Sequence, residues 1–406
     1  LLLPATSTSS YLLNSNQSGP KRLSSTKALS ATKLSATQPL FKSYWVSGAV
    51  TNESHSANIT IQAGRPVAVW YGGTEEGAAD VAVYISVFSQ PTSTASTGNP
   101  GGTQAPLGVA RWSEPIAIIN REQTQSDLYR YVRKIGNPTL HTWPDGSIGI
   151  YYVSVSMGGW AASSLNYLEL NPSQIDRLAS GQLLNTESML TSPARRLVTS
   201  PFLNISTLVR ATAVAMQDGS ITLPVYHEFM GKFSETLRLD RQQRILNKTR
   251  LSWGRYSLQP TLAAISETEA LALTRDSGEP PGRVLMTQTH ETGISWSQPV
   301  KLDIANPNSA IALLNIGHGR LLAALNDTED GRFRLSLAMA STDDPHKWRV
   351  IKTIESEETA DPTSHKFEFS YPSMVQADDG VIHLVYTWNQ TRVKHVMFND
   401  SWLLDL

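Results

Sequence analysis

Six polar or ionisable residues stand at the head of six copies of one sequence template: His55, Asn137, Arg210, Gln259, Asn308 and Tyr371. A set holding an imidazole, a guanidinium, a phenol and three carboxamides suits a polar ligand. A guanidinium fork in particular recognises a carboxylate through two parallel hydrogen bonds. Further chemistry-bearing residues lie at or beyond the ends of the copies: Asp80 with Glu75 and Glu76 close by, the neighbours His227 and Glu228, and Arg275. Arg392 and Lys394 alternate after the last copy and so share one strand face. Each also has a structural reading. The six could form a hydrogen-bond ring, Asp80 a loop cap, Arg275 an ion pair with Asp276, His227-Glu228 an exposed strand end, and Arg392 with Lys394 a solvated face. Those alternatives stay open at this point.

Other chemistries are absent from the sequence. There is no cysteine, so no disulfide, thiolate metal site or cysteine nucleophile. No H-E-x-x-H, EF-hand, G-x-S-x-G or P-loop pattern occurs, and no metal or cofactor is expected. Lys plus Arg number 34 and Asp plus Glu 35, a net charge of −1. A nucleic-acid partner would need a basic surplus, and none is expected. No run of 18 apolar residues is present, so no membrane span is expected within the chain. The opening Leu1-Leu2-Leu3 leaves two readings: an arbitrary boundary, or the remnant of a removed signal or anchor segment. The second suits an exported protein of the bacterial periplasm or medium.

The elements that must position these residues are strands. Residues 1–40 are rich in Ser and Thr and poor in aromatics, which reads as a tail or linker. From 41 to 406, short apolar runs alternate with Gly, Asp, Asn and Pro. The template is a short strand, a turn and a second apolar strand. It reads NPTLHTWPDGSIGIYYVS from Asn137, ATAVAMQDGSITLPVYHE from Ala211 and YPSMVQADDGVIHLVYTWN from Tyr371. Further copies start at Gln259 and Asn308, and a weaker one at His55. Asp-Gly between apolar runs is a hairpin signal, expected here as a tight primed turn. Six copies predict an all-β, six-bladed β-propeller over residues 41–406, a ring in which each blade buries its faces against two neighbours. The first residues of the copies then converge on the axis.

A second repeated frame ends in tryptophan: THETGISW from Thr289 and STDDPHKW from Ser341. It resembles the Asp-box, S-x-D-x-G-x-T-W. Together with VWYGGTEEGAADVAVYIS, LPVYHEF, NPNSA and the last copy, it makes residues 45–400 similar to the sialidase (neuraminidase) superfamily, closest to the bacterial BNR-repeat branch. That resemblance implies a retaining exo-glycosidase acting on a glycan with a terminal acidic sugar. The family uses a tyrosine nucleophile paired with a glutamate, an aspartate acid/base and three arginines on the sugar carboxylate; the tyrosine departs from the two-carboxylate scheme. Matched position by position, the resemblance makes Tyr371 the nucleophile, Asp80 the acid/base and Arg275 one clamp. The first-blade arginine position holds His55, the glutamate position Gln259, and the fifth-blade arginine position falls at Asn306–Ser309. Arg210 and Arg392 are the candidate replacement cations, and Glu228, assisted by His227, the replacement base.

The altered positions widen the substrate class to related ulosonic acids such as the 3-deoxy-octulosonic acid of lipopolysaccharide. Two other functions fit the same fold. One is a polysaccharide lyase on a uronic-acid polymer, using His227 with Tyr226. The other is a glycan-binding propeller without catalysis.

Overall fold

The structure, a computed structural model, describes residues 38–405 except 49, 91–109, 183–191, 200–205, 230, 255 and 358–366. Most of the expected tail, including its leucine start, lies outside the described residues.

Six antiparallel sheets form the ring, and each runs outward from one inner strand. The inner strands are Glu53–Gln62 in blade 1, Lys134–Thr142 in blade 2, Ser257–Ala264 in blade 4, Ala312–Gly317 in blade 5 and Phe369–Gln376 in blade 6. In blade 3 the inner strand is broken into Leu208–Val209 and Val214–Ala215, both paired with Ile221–His227. The outermost strand of blade 6 comes from the other end of the chain: Phe41–Trp45 pairs antiparallel with Arg392–Phe398. The ring is thus closed by hydrogen bonds between its first and last strands, and no long edge is left open there.

Strands here are buried on both faces, which explains their unbroken apolar runs. All eight residues of Ile148–Val155 are buried. One face packs toward blade 1, where Ile148, Ile150 and Tyr152 meet Val67, Val83 and Ile85. The other packs toward blade 3, where Tyr151 and Val153 meet Leu223 and Leu237. The seam between blades 3 and 4 is thinner, with Met216, Leu251 and Leu262 among alanines, and Trp296 fills it. Trp348 likewise packs against the core between blades 4 and 5. The tryptophans of the repeated frame are packing residues, as bulky amphipathic side chains at sheet corners usually are.

The Asp-Gly turns differ from the primed form expected. Gly146, Gly219 and Gly380 have φ of 82°, 79° and 86°, while the preceding aspartates stay outside the left-handed region. Only the glycine is left-handed, the pattern of a type I turn followed by a bulge. The aspartate instead caps the turn: Asp145 Oδ1 accepts from the Ser147 backbone N–H at 2.9 Å, and Asp218 Oδ1 from that of Ser220 at 3.1 Å. No helix among the described residues is long and apolar enough to cross a membrane.

Candidate active site

The head of each template copy is a backbone irregularity. Asn137, Gln259, Asn308 and Tyr371 have φ between 48° and 53°. In blade 1 the left-handed residue is Ser56 (φ 52°), one place after His55. In blades 1, 2, 4 and 6 the ladder slips register at this point: between His55 and Asn58, Gly136 and Thr139, Leu258 and Thr261, and Ser370 and Ser373. In blade 3 the strand breaks instead, and Arg210 lies in the break. A left-handed non-glycine residue is costly, most of all for a bulky tyrosine, and such conformations cluster where side chains must be aimed rather than paired.

These bulges bring together most of the residues expected on the axis. Tyr371 is the hub. The Arg210 guanidinium lies 5.7 Å and that of Arg332 5.6 Å from its ring centre, and the His55 ring 6.3 Å edge-on. His55 also stacks on Tyr71. Asn137 Nδ2 and Gln259 Nε2 both donate to the Tyr226 hydroxyl, each at 3.2 Å. Arg275 is close enough to Arg210 and Tyr226 for its charge to act on both. Asn308 is exposed and enters only through its backbone carbonyl, which accepts from Arg332 at 3.3 Å.

Charge and burial decide what this cluster can do. Arg210 is 2% exposed, and burial pulls its guanidinium down to about 10, with Arg275 adding to the fall and the facing phenols opposing it. Burial also disfavours the Arg332 charge, but Tyr371 and Glu368 outweigh it and hold the proton more firmly than usual. Glu368 pairs with Arg332 at 3.0 Å and accepts from Gln390. Burial would push its carboxyl up; Arg332, Ser370 and Gln390 bring it below the ordinary range. Arg332 is therefore committed to protein groups. Arg275 is the opposite case: its buried Nε and Nη1 have no partner, and neither has Arg210 Nε. Buried guanidinium N–H groups left unpaired are costly.

Several expected residues lie elsewhere. His227 is on the strand face opposite Tyr226, stacked on Phe233, with Nε2 2.6 Å from Glu235, itself paired with Lys248. Period-two alternation turns it away from the axis, so the His227–Tyr226 pair required for a lyase does not form. Glu228, two residues beyond Tyr226, returns to that side, and its charge raises the Tyr226 phenol's affinity for its proton, second to burial. Arg392 and Lys394 sit on the third strand of blade 6, both over the Trp45 ring, and Lys394 pairs with Glu355. A third strand is too far from the axis to supply a clamp. Asp276 pairs with Lys301 rather than with Arg275. Asp80 is exposed, and its Oδ2 accepts from Thr74 Oγ1 at 2.5 Å and Thr74 N at 2.9 Å; those bonds hold its carboxyl below the usual range.

On the same loop, Glu76 approaches the site more closely. Its Oε1 accepts from Trp160 Nε1 at 2.9 Å, and its charge adds to burial in raising the Tyr71 phenol. Trp160 also carries Lys134 over its ring at 3.9 Å and lies against Gly136, where a Cβ would be 2.7 Å from the indole. Arg332 and Glu368 were not legible from the template, because both lie in loops between strands. The pairing of Tyr226 with Asn137 and Gln259 was likewise out of reach. Among the described residues no group of three or more His, Asp or Glu side chains could hold a metal ion.

The model of the BNR repeat-like domain matches residues 64–384. Among curated proteins, no sequence matches the chain. Among solved structures, the Hadza microbial sialidase Hz136 superposes with a TM-score of 0.63 at 13% identity, over 87% of this chain and 67% of its own. The Trypanosoma rangeli sialidase in complex with the inhibitor DANA gives 0.59 at 14%, over 87% of this chain and 56% of its own. This chain therefore spans little more than half of that protein. A Dyadobacter fermentans protein of unknown function gives 0.58 at 10%, over 88% and 99%. At such identities the likeness shows the fold alone.

Proposed function

The chain belongs to the BNR repeat-like domain family, and from that premise we propose that it is a sialidase-like exo-glycosidase that removes a terminal acidic keto-sugar from a glycan. One observation carries the reading: Tyr371, held in a left-handed backbone, faces Arg210 and Arg332 while the neighbouring Arg275 guanidinium has buried, unpaired N–H groups.

In this reading Arg275 and Arg210 take the sugar carboxylate. The Tyr371 oxygen forms a bond to the anomeric carbon as the bond to the leaving oxygen breaks; its proton passes to Glu228, the carboxylate on the Tyr226 side of the site, and returns when the sugar is released. Arg332, anchored by Glu368, stabilises the phenolate character of that oxygen. A carboxylic acid on the 74–80 loop gives its proton to the leaving oxygen, and its carboxylate then draws a proton from water to release the sugar. Asp80 is the residue the family resemblance points to. Glu76 is the better placed, since it bonds Trp160 of blade 2 and its charge reaches Tyr71, which stacks on His55. The substrate class comprises sialic acids and related ulosonic acids, met by an exported protein.

Glycan binding without catalysis is favoured by one specific observation: position 259 carries an amide committed to Tyr226, so it cannot take the Tyr371 proton. Release of methylumbelliferone from the sialic acid and 3-deoxy-octulosonic acid glycosides separates the two. Turnover of either glycoside supports the enzyme. Saturable binding of the free sugars without release from either glycoside sinks it in favour of the binding module.

A further inference from the structure

A buried hydroxyl has one proton to give and two lone pairs with which to accept. Both lone pairs of Tyr226 are used, one by Asn137 Nδ2 and one by Gln259 Nε2, each at 3.2 Å. Asn137 comes from blade 2, Tyr226 from blade 3 and Gln259 from blade 4, and the two amide residues are the left-handed heads of their inner strands. Three blades thus fix the phenol's hydrogen-bond directions. Its proton has no acceptor among the described residues, although the residue is 2% exposed. The other end of the Gln259 carboxamide is equally unpaired: Oε1 is buried without a donor. A donor and an acceptor, both buried and both unfilled, therefore stand side by side next to the arginines.

We propose that Tyr226 and Gln259 form a neutral recognition pair for the bound sugar. The Tyr226 hydroxyl donates to an oxygen of the ligand, and Gln259 Oε1 accepts from a hydroxyl or acylamino group beside it. Asn137 is the positioning residue that keeps the phenol's proton pointed at the ligand. The inference rests on the glycosidase reading for the identity of the sugar, though not for the location of the pair. It assigns the departure at position 259 a role. In place of a carboxylate base, the site has an amide that is both a support for Tyr226 and a ligand contact. Burial, with the nearby Glu228 charge, raises the Tyr226 phenol, so it keeps its proton across the neutral range and, with both lone pairs already taken, offers a ligand only that proton.

The test has two arms. A crystal structure without ligand is expected to show a water oxygen within hydrogen-bonding distance of both Tyr226 Oη and Gln259 Oε1. Two polar atoms with no third atom near them would overturn the proposal, whatever the protein turns over. In calorimetric titrations with N-acetylneuraminic acid and with 3-deoxy-octulosonic acid, Tyr226→Phe is expected to weaken binding about tenfold, the size of one neutral hydrogen bond. Unchanged affinity would overturn it. An equal loss for both acids assigns a hydroxyl they share; a loss confined to N-acetylneuraminic acid assigns the acylamino group. Gln259→Met, which leaves the phenol in place, makes the same measurement if Tyr226→Phe cannot be purified, with the same weakening expected. If neither acid binds the wild type, the glycosidase reading falls, and the crystallographic arm still decides the recognition pair.

Discussion

Two polar layers lie one behind the other on the propeller axis, and they behave oppositely. In the deeper one, Asn58 of blade 1 is fully buried and every hydrogen-bonding capacity of its amide is used. It donates to Ser373 Oγ (3.1 Å) and the Arg210 carbonyl (3.4 Å), and accepts from Leu140 N (2.9 Å) and Thr212 Oγ1 (3.3 Å). One side chain thereby ties blades 1, 2, 3 and 6. In the layer at the mouth, Arg210, Gln259, Arg275, His55 and Ser56 all keep buried polar atoms without partners. The hydrogen bonds of Asn58 tie four blades without involving the side chains of the six template heads. A fully satisfied side chain such as Asn58 holds blades together, whereas polar atoms left unfilled at the mouth are ready for something else.

The largest expected effect tests the mouth layer. Tyr371→Phe should cut turnover of the fluorogenic glycoside about a thousandfold or more while leaving the thermal midpoint nearly unchanged, because a nucleophile is lost without a packing change. Retained turnover would show that the phenol is only a wall. Asn58→Ala should do the reverse. It strands the Leu140 amide and loosens four blades, at a cost of about 3 kcal/mol in denaturant unfolding. A smaller value would mean that water replaces the amide and the layers are alike. Arg275→Met sharpens the contrast in a single variant. Affinity for the free acid sugar should fall about a hundredfold, whereas folding stability should hold or rise, since two buried N–H groups without partners are removed. A marked loss of stability would make Arg275 a structural residue.

A second filled network, at the seam of blades 6 and 1, predicts a pH effect. Trp112 Nε1 donates to His395 Nδ1 at 3.3 Å, and His395 Nε2 lies 3.0 Å from His383 Nδ1. Burial pulls His383 down to about 4 and His395 well below its ordinary value. Unfolded imidazoles take up protons near pH 6.5. As pH falls from there toward 4, the unfolded chain binds more protons than the folded one. Stability is complete above that window and declines through it, by up to about 1.4 kcal/mol per pH unit for each imidazole. Unfolding curves of His383→Gln should show a shallower decline; an equal slope would place the acid sensitivity elsewhere. The smallest expected effect is none: Arg392→Gln should leave kcat/KM within about twofold, because that side chain covers Trp45. A clear loss would bring the third strand back into the site.

Much of this was legible because the repeat carries position as well as fold. The head of each copy is the residue whose backbone leaves the ladder, so Asn137, Gln259 and Tyr371 could be placed on the axis from the template alone. His55 was displaced by one residue, since the left-handed position in blade 1 is Ser56. His227 failed on alternation, and Arg392 on strand order within a blade. Arg332 failed for a different reason. It lies in the loop before Arg334–Ser341 and reaches Tyr371 only through its long side chain, and no periodic signal marks such a reach.

The closing strand has a mechanical consequence. Phe41 stands opposite Phe398, so the chain leaves the ladder at the same end in both directions. Tension between the two ends would therefore peel the seam rung by rung rather than shear it at once. Its outermost fastening is Asn399, whose amide clasps Leu40 N at 3.0 Å and the Gln38 carbonyl at 2.9 Å. That one side chain is the catch on which opening of the ring by force would begin.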